Sequence, residues 1–166
     1  MSPARISVER LAGDPGGIDT AAAWIHAEWS AFSGRTLEET RARFANEVPE
    51  AGLPITLAAY VDGEIAGIAS LRARDSADWD AAAQPWLCNV FVAPGWRRRG
   101  VAEALCLACE AAAAQLGYPS IHLASIAPEG SLYERIGYRI YAWRTRHGER
   151  FALMRKSRAD KTGKTQ

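Results

Sequence analysis

The most constraining stretch of this chain runs from Trp86 to Ala124. Trp86–Val92 is a near-continuous apolar run, which predicts a strand buried on both faces. Ala93-Pro94-Gly95 turns the chain, and Arg97-Arg98-Arg99-Gly100 follows. Val101, Leu105, Ala108, Ala112 and Leu116 then recur at helical spacing until Gly117 and Pro119 stop them. Ser120–Ala124 reads as another short strand. A strand, a helix and a strand in this order make a parallel pair joined by a right-handed crossover. The chain must therefore lay a helix across a sheet, which makes it α/β.

The flanks add hairpins. Arg5–Arg10 alternates apolar and polar around Ile6 and Val8, as a strand does. Gly13–Gly17 ends it, and Ile18, Ala22, Ile25 and Trp29 trace a first helix that Ser33-Gly34 breaks. Thr36 with Glu39 has the form of a capping box, and Leu37, Phe44 and Val48 give a second helix its apolar stripe, closed by Pro49. Pro54–Val61 and Glu64–Arg72 are strands joined at Asp62-Gly63, a two-residue hairpin signal. After the crossover, Leu132–Ile136 is a short helix stopped by Gly137. Tyr138–Arg146 and Glu149–Lys156 form a last hairpin across His147-Gly148. The expected fold is a single mixed, mostly antiparallel sheet of about six to seven strands with flanking helices.

The 166 residues suit one domain, residues 1–156, followed by a basic tail, 157–166, whose composition predicts disorder. A net charge of +1 draws the chain neither to nucleic acid nor to an anionic membrane, so any anion site must be local. Cys88, Cys106 and Cys109 have no framework spacing, and no second pair or nearby histidine completes a metal site. They read as buried thiols, and no metal is expected. There is neither a signal-peptide pattern nor a bilayer-length apolar run, so a cytoplasmic location is expected by default.

The one local concentration of positive charge is Arg97, Arg98 and Arg99, between a strand end and a helix start. The first amides of a helix lack internal acceptors and lie at the positive end of its dipole. A phosphate can satisfy both. Gly100 and Ala102 keep the approach open. The segment matches neither the P-loop nor the dinucleotide fingerprint. An arginine-rich surface turn is the competing reading on chemistry alone.

Arg97-Arg98-Arg99-Gly100-Val101-Ala102 resembles the [QR]-x-x-G-x-[GA] signature of the GCN5-related N-acetyltransferases, set as in that family between a V-x-V-x-P strand end and a long helix. Leu132-Tyr133-Glu134-Arg135-Ile136-Gly137-Tyr138 resembles the family's L-Y-x-x-x-G-[FY]. The element order is similar over roughly residues 4 to 156. The resemblance implies acetyl-CoA as cosubstrate and a primary amine, on a small molecule or a peptide, as acceptor. It implies pantetheine along the backbone of Val90, Phe91 and Val92. It implies pyrophosphate on Arg97, Arg98, Arg99, Gly100, Val101, Ala102 and Glu103, mostly through backbone N–H. It implies Tyr133 as the general acid that meets the departing thiolate, and a strand amide near Val90 or Phe91 for the oxyanion.

The chain departs from the family in two places. Ile126 stands where many relatives carry asparagine, and Trp86–Asn89 offers no glutamate as general base. Glu28 and His122 are the alternative base candidates, with proton loss through solvent as a third route. Trp29 and Trp86 are candidate acceptor-binding residues, and carboxylates such as Asp75, Asp78 and Asp80 would suit a cationic amine. Relatives commonly form homodimers, which no feature here decides. A non-catalytic acyl-CoA-binding module, a transferase using another acyl-CoA and a phosphate-binding regulator are the competing functions. The binding module does not need Tyr133, and the regulator does not explain the Tyr133 segment.

Overall fold

The computed structural model describes residues 4–47, 52–76, 79–80 and 82–158. Strand β1 (Ile6–Arg10) leads through a short 3-10 turn into helix α1 (Pro15–Ser33). That helix begins earlier than the apolar periodicity indicates. Asp14 caps it by accepting from the Gly17 amide at 3.0 Å, and Pro15 occupies the first turn. Gly34, at φ 68°, ends it. Helix α2 (Leu37–Ala45) opens on the expected capping box, with Thr36 and Glu39 each accepting from the other's amide. It ends before Val48 and Pro49, which lie outside the described residues, as does Asp78.

Strands β2 (Ile55–Val61) and β3 (Glu64–Arg72) form the hairpin, with Asp62 and Gly63 both at positive φ (50° and 87°), as a tight two-residue turn requires. Then come β4 (Trp86–Val92), α3 (Val101–Gln115), β5 (Ser120–Ser125), the single-turn helix α4 (Leu132–Arg135), β6 (Arg139–Arg146) and β7 (Glu149–Ser157). Strand β7 runs one residue into the segment expected to be tail, and residues 159–166 lie outside those described.

The sheet has seven strands in the order β1-β2-β3-β4-β5-β7-β6. The β4–β5 pair is parallel and the other pairings are antiparallel, as the crossover demands. Period-two alternation sorts β2 between two cores. Ile55, Leu57, Ala59 and Val61 meet Val101, Leu105, Cys106 and Cys109 of α3 on one face. Ala58 meets Ile18, Ala22 and Ile25 of α1 and Phe44 of α2 on the other. Burying Leu105 completely contributes about 2 kcal/mol. The three cysteines are free and buried, and burial pushes each thiol up. Among the described residues no group of histidine, cysteine and carboxylate side chains could hold a metal, and no helix is long and apolar enough to cross a membrane.

Candidate active site

Strands β4 and β5 are in register at one place only, where Trp86 faces His122. The geometry of β4 accounts for this. Ile68 pairs with Phe91 and Ser70 with Cys88, so Asn89 and Val90 together oppose Ala69 in a β-bulge. Asn89 takes a left-handed backbone (φ 54°) and its amide donates to Ser70 Oγ at 3.3 Å. Asparagine tolerates this conformation better than most residues, and a bulge bends its strand. Gly67 permits the approach from the other side, since a Cβ there would lie 2.5 Å from the Phe91 carbonyl oxygen. The expected two-sided burial of β4 therefore holds for Trp86, Leu87 and Cys88, while Asn89–Val92 is half-buried. Past Trp86, the edge of β4 that faces β5 is left without a ladder partner.

That edge runs into the arginine loop. Pro94–Trp96 forms a 3-10 turn, Arg98 is left-handed (φ 63°), and Gly100 (φ 81°) is the N-cap of α3. No side chain caps the helix, so its first amides face the cleft with their positive dipole end. Arg97 donates through Nε to the Val92 carbonyl at 2.9 Å and lies over the Phe91 ring. Arg99 lies over the Trp96 ring at 5.3 Å. Two of the three arginines thus brace the loop, and its backbone leads to the uncapped amides of α3. Nothing lies within 4 Å of a Cβ placed on Gly100, so the space before the helix is open. Val90, Phe91, Val92, Arg97, Arg98, Gly100, Val101, Ala102 and Glu103 line one cleft of about 590 Å³, joined by Glu28 and Trp29 from α1.

The chain matches the acetyltransferase (GNAT) family over residues 21–138. It belongs to that family. The GNAT assignment makes the chain an acyltransferase, and its seven-stranded mixed sheet is the fold seen in solved members. An aminoglycoside 6'-acetyltransferase type Ii superposes with a TM-score of 0.71 at 19% identity, covering 91% of this chain and 96% of that one. YncA from Salmonella typhimurium, solved with its cofactor acetyl-CoA, gives 0.69 at 14% identity, covering 92% and 93%. The PaiA N-acetyltransferase from Thermoplasma acidophilum, in complex with coenzyme A, gives 0.63 at 18% identity, covering 92% and 99%. A search of curated protein sequences finds no match.

Within this GNAT domain the remaining predicted site residues separate into two groups. Glu28 is exposed on α1 and lines the cleft. Trp29 lines it too, and with Trp24 it packs on the Phe91 ring, at 6.5 and 5.4 Å between centroids. Tyr133 sits on α4, capped by Ser131 and packed against the main core. Its neighbours Leu132 and Arg135, rather than Tyr133 itself, form the cleft wall. Burial pushes its phenol well above the usual range, with Cys106 and Cys88 adding to the rise. Its hydroxyl therefore stays protonated at neutral pH.

Trp86 and His122 stand apart. Trp86 is fully buried, its indole N–H donating to the Ala83 carbonyl at 2.8 Å. His122 is buried between the Trp86 and Tyr141 rings, with Nδ1 3.4 Å from the Pro85 carbonyl oxygen. Neither lines the cleft. The alternation that placed His122 between Ile121 and Leu123 does aim it away from them, but into a third core with Trp79 and Trp86 rather than toward solvent. Burial lowers its pKa. The folded state therefore resists protonation, and stability that is full above the unfolded value near 6.5 falls as pH drops through it. His122→Gln should flatten the loss of Tm between pH 7 and pH 5, as followed by thermal melts. An unchanged slope would contradict this placement.

The acidic loop also differs from its expected role. Asp75 accepts from the Trp79 indole at 3.2 Å, and burial raises its pKa. It bonds Trp79 and does not line the cleft, and Ile126, at the family's asparagine position, is 61% exposed. Sequence reasoning missed a polar group beside the cleft, made of Arg43, Glu47, Thr56, Ser70, Arg72 and Asn89. Its only sequence signal was Ser70 and Arg72 alternating on the same face of β3 as Ile68.

Proposed function

We propose that this chain is an N-acetyltransferase that moves an acetyl group from acetyl-CoA to a primary amine of a small molecule or peptide. The observation that carries the reading is the continuity of the free β4 edge with the uncapped start of α3 at Gly100. An extended amide-bearing arm can add to the first as a strand does, and its pyrophosphate can rest on the second. Val90, Phe91 and Val92 would hold the arm, and the backbone from Arg98 to Glu103 the phosphates. The bound thioester supplies an acyl carbon open to attack and a thiolate leaving group. Tyr133, held neutral, donates to that sulfur. A β4 amide at Val90 or Phe91 stabilises the oxyanion.

Glu28 is the base this geometry favours. A lysine-like amine, near pKa ~10.4, is mostly protonated at neutral pH and must lose a proton before it attacks. An exposed carboxylate on the cleft wall can take that proton directly or through water.

The test is release of free CoA thiol from acetyl-CoA against a panel of primary amines, run in parallel with succinyl-CoA. Turnover with acetyl-CoA on at least one amine is the expected result. Tight CoA binding with no turnover on any amine would instead make the chain an acyl-CoA-binding module, and turnover with succinyl-CoA alone would change the donor.

A further inference from the structure

Beside the acyl cleft lies a second, smaller recess of about 50 Å³ between α1, α2, β3 and β4. Arg35, Arg43 and Arg72 line it, with Asn89 at its floor and Trp29 and Phe44 as apolar walls. The Arg72 side chain is only 12% exposed, and its buried Nε and Nη2 have no hydrogen-bond partner among the described residues. A buried guanidinium is costly unless its donors are met. Glu47 does not meet them. Its two carboxylate oxygens accept from the Thr56 amide at 2.8 Å and the Thr56 hydroxyl at 2.7 Å, and its approach to Arg72 is 3.6 Å, too long for a hydrogen bond.

Electrostatics agree with the geometry. Burial, with repulsion from Arg72 and Arg35, lowers the Arg43 pKa to about 10 against weaker opposition from Cys88 and Glu47. Asp75 also faces this group, with burial raising its pKa and Arg72 and Arg43 opposing that rise. The recess is thus a positive pocket lined by three arginines, and a guanidinium fork matches a carboxylate.

The recess adjoins the reacting centre. Trp29 lines both spaces. Asn89 in the recess is followed directly by Val90 in the cleft, and consecutive Cα atoms lie about 3.8 Å apart. A group held in the recess and an amine at the acyl carbon must therefore share a short skeleton.

We infer that the acceptor is an amine that also carries a carboxylate, an amino acid or a close analogue, whose carboxylate is held in the recess by Arg43 and Arg72. This rests on the acetyltransferase reading and narrows its acceptor class.

The experiment compares acetylation of the L-α-amino acids with that of their carboxamides, with acetyl-CoA binding measured separately by calorimetry. At least one free acid should exceed its own carboxamide by tenfold or more in kcat/KM. Arg43→Gln should raise KM for that acid by tenfold or more while leaving the carboxamide's KM and the acetyl-CoA affinity unchanged. Arg43→Lys should restore part of the acid preference, which a purely structural arginine would not show. Equal or better use of carboxamides overturns the inference, as does acetyl-CoA binding without acetylation of any amino acid. Failure to bind acetyl-CoA at all would instead overturn the reading on which it rests.

Discussion

Gly100→Glu should weaken coenzyme A binding by at least a hundredfold, measured by calorimetry, while the chain stays folded. Two effects act together. Gly100 sits at φ 81°, where a side chain costs about 1 kcal/mol. That lowers Tm by a few degrees but does not unfold a domain of this size. The space around its Cβ is open, so the first atom of the new side chain meets no protein atom beside the helix amides. Its carboxylate then takes the place meant for an anion. Like-charge juxtaposition costs several kcal/mol, and each 1.4 kcal/mol is a factor of about ten. Gly100→Ala separates the terms, since it keeps the backbone strain and adds no charge. It should lose much less affinity. Unchanged affinity in Gly100→Glu would show that the uncapped start of α3 is not the phosphate site.

Tyr133→Phe should lower kcat by roughly a hundredfold and leave coenzyme A affinity within about twofold, in keeping with the worth of a positioned general acid. The ring still fills its place against Tyr138, 6.2 Å away between centroids, so the core loses only a hydroxyl. The sign of the pKa shift sharpens this. Burial raises the phenol above its ordinary value of 10, so Tyr133 stays protonated well into the alkaline range. The parent enzyme's kcat should therefore rise with pH as the amine loses its proton, with no falling limb below pH 10. A falling limb at pH 8 to 9 would point to a different donor. An unchanged kcat in Tyr133→Phe would remove the hydroxyl from the reaction altogether.

The cleft and the recess were legible to different degrees. The cleft's backbone features come from a contiguous stretch of chain. Pro94, Gly95 and Gly100 announce a turn, the apolar runs on either side announce a strand and a helix, and a helix start binds anions whatever surrounds it. The recess has no such continuity. Arg43 comes from α2, Arg72 from β3 and Asn89 from β4. Each alone is an ordinary polar residue, and only the antiparallel pairing of β3 with β4, with α1 and α2 laid over that face, brings them together.

The same distinction applies to His122 and Trp86. The apolar flanks of His122 and the place of Trp86 at the start of β4 suit a cleft residue as well as a buried one. Their single pairing lies at the closed end, where the strands still touch, and the cleft opens only past the Asn89 bulge. The bulge depends on Gly67 across the ladder and on left-handed backbone at Asn89, neither of which has a periodic signature.

The sequence by itself determined the order of elements, the parallel pair at the centre and the glycine turn before α3 at Gly100, because each rests on local conformational preference or on hydrophobic period. Only the tertiary structure decided how far β4 and β5 stay together, which histidine and tryptophan are sealed in the core, and which arginines converge beside the cleft. Those depend on residues distant in sequence approaching within a few ångströms, and burial and electrostatics act over that distance.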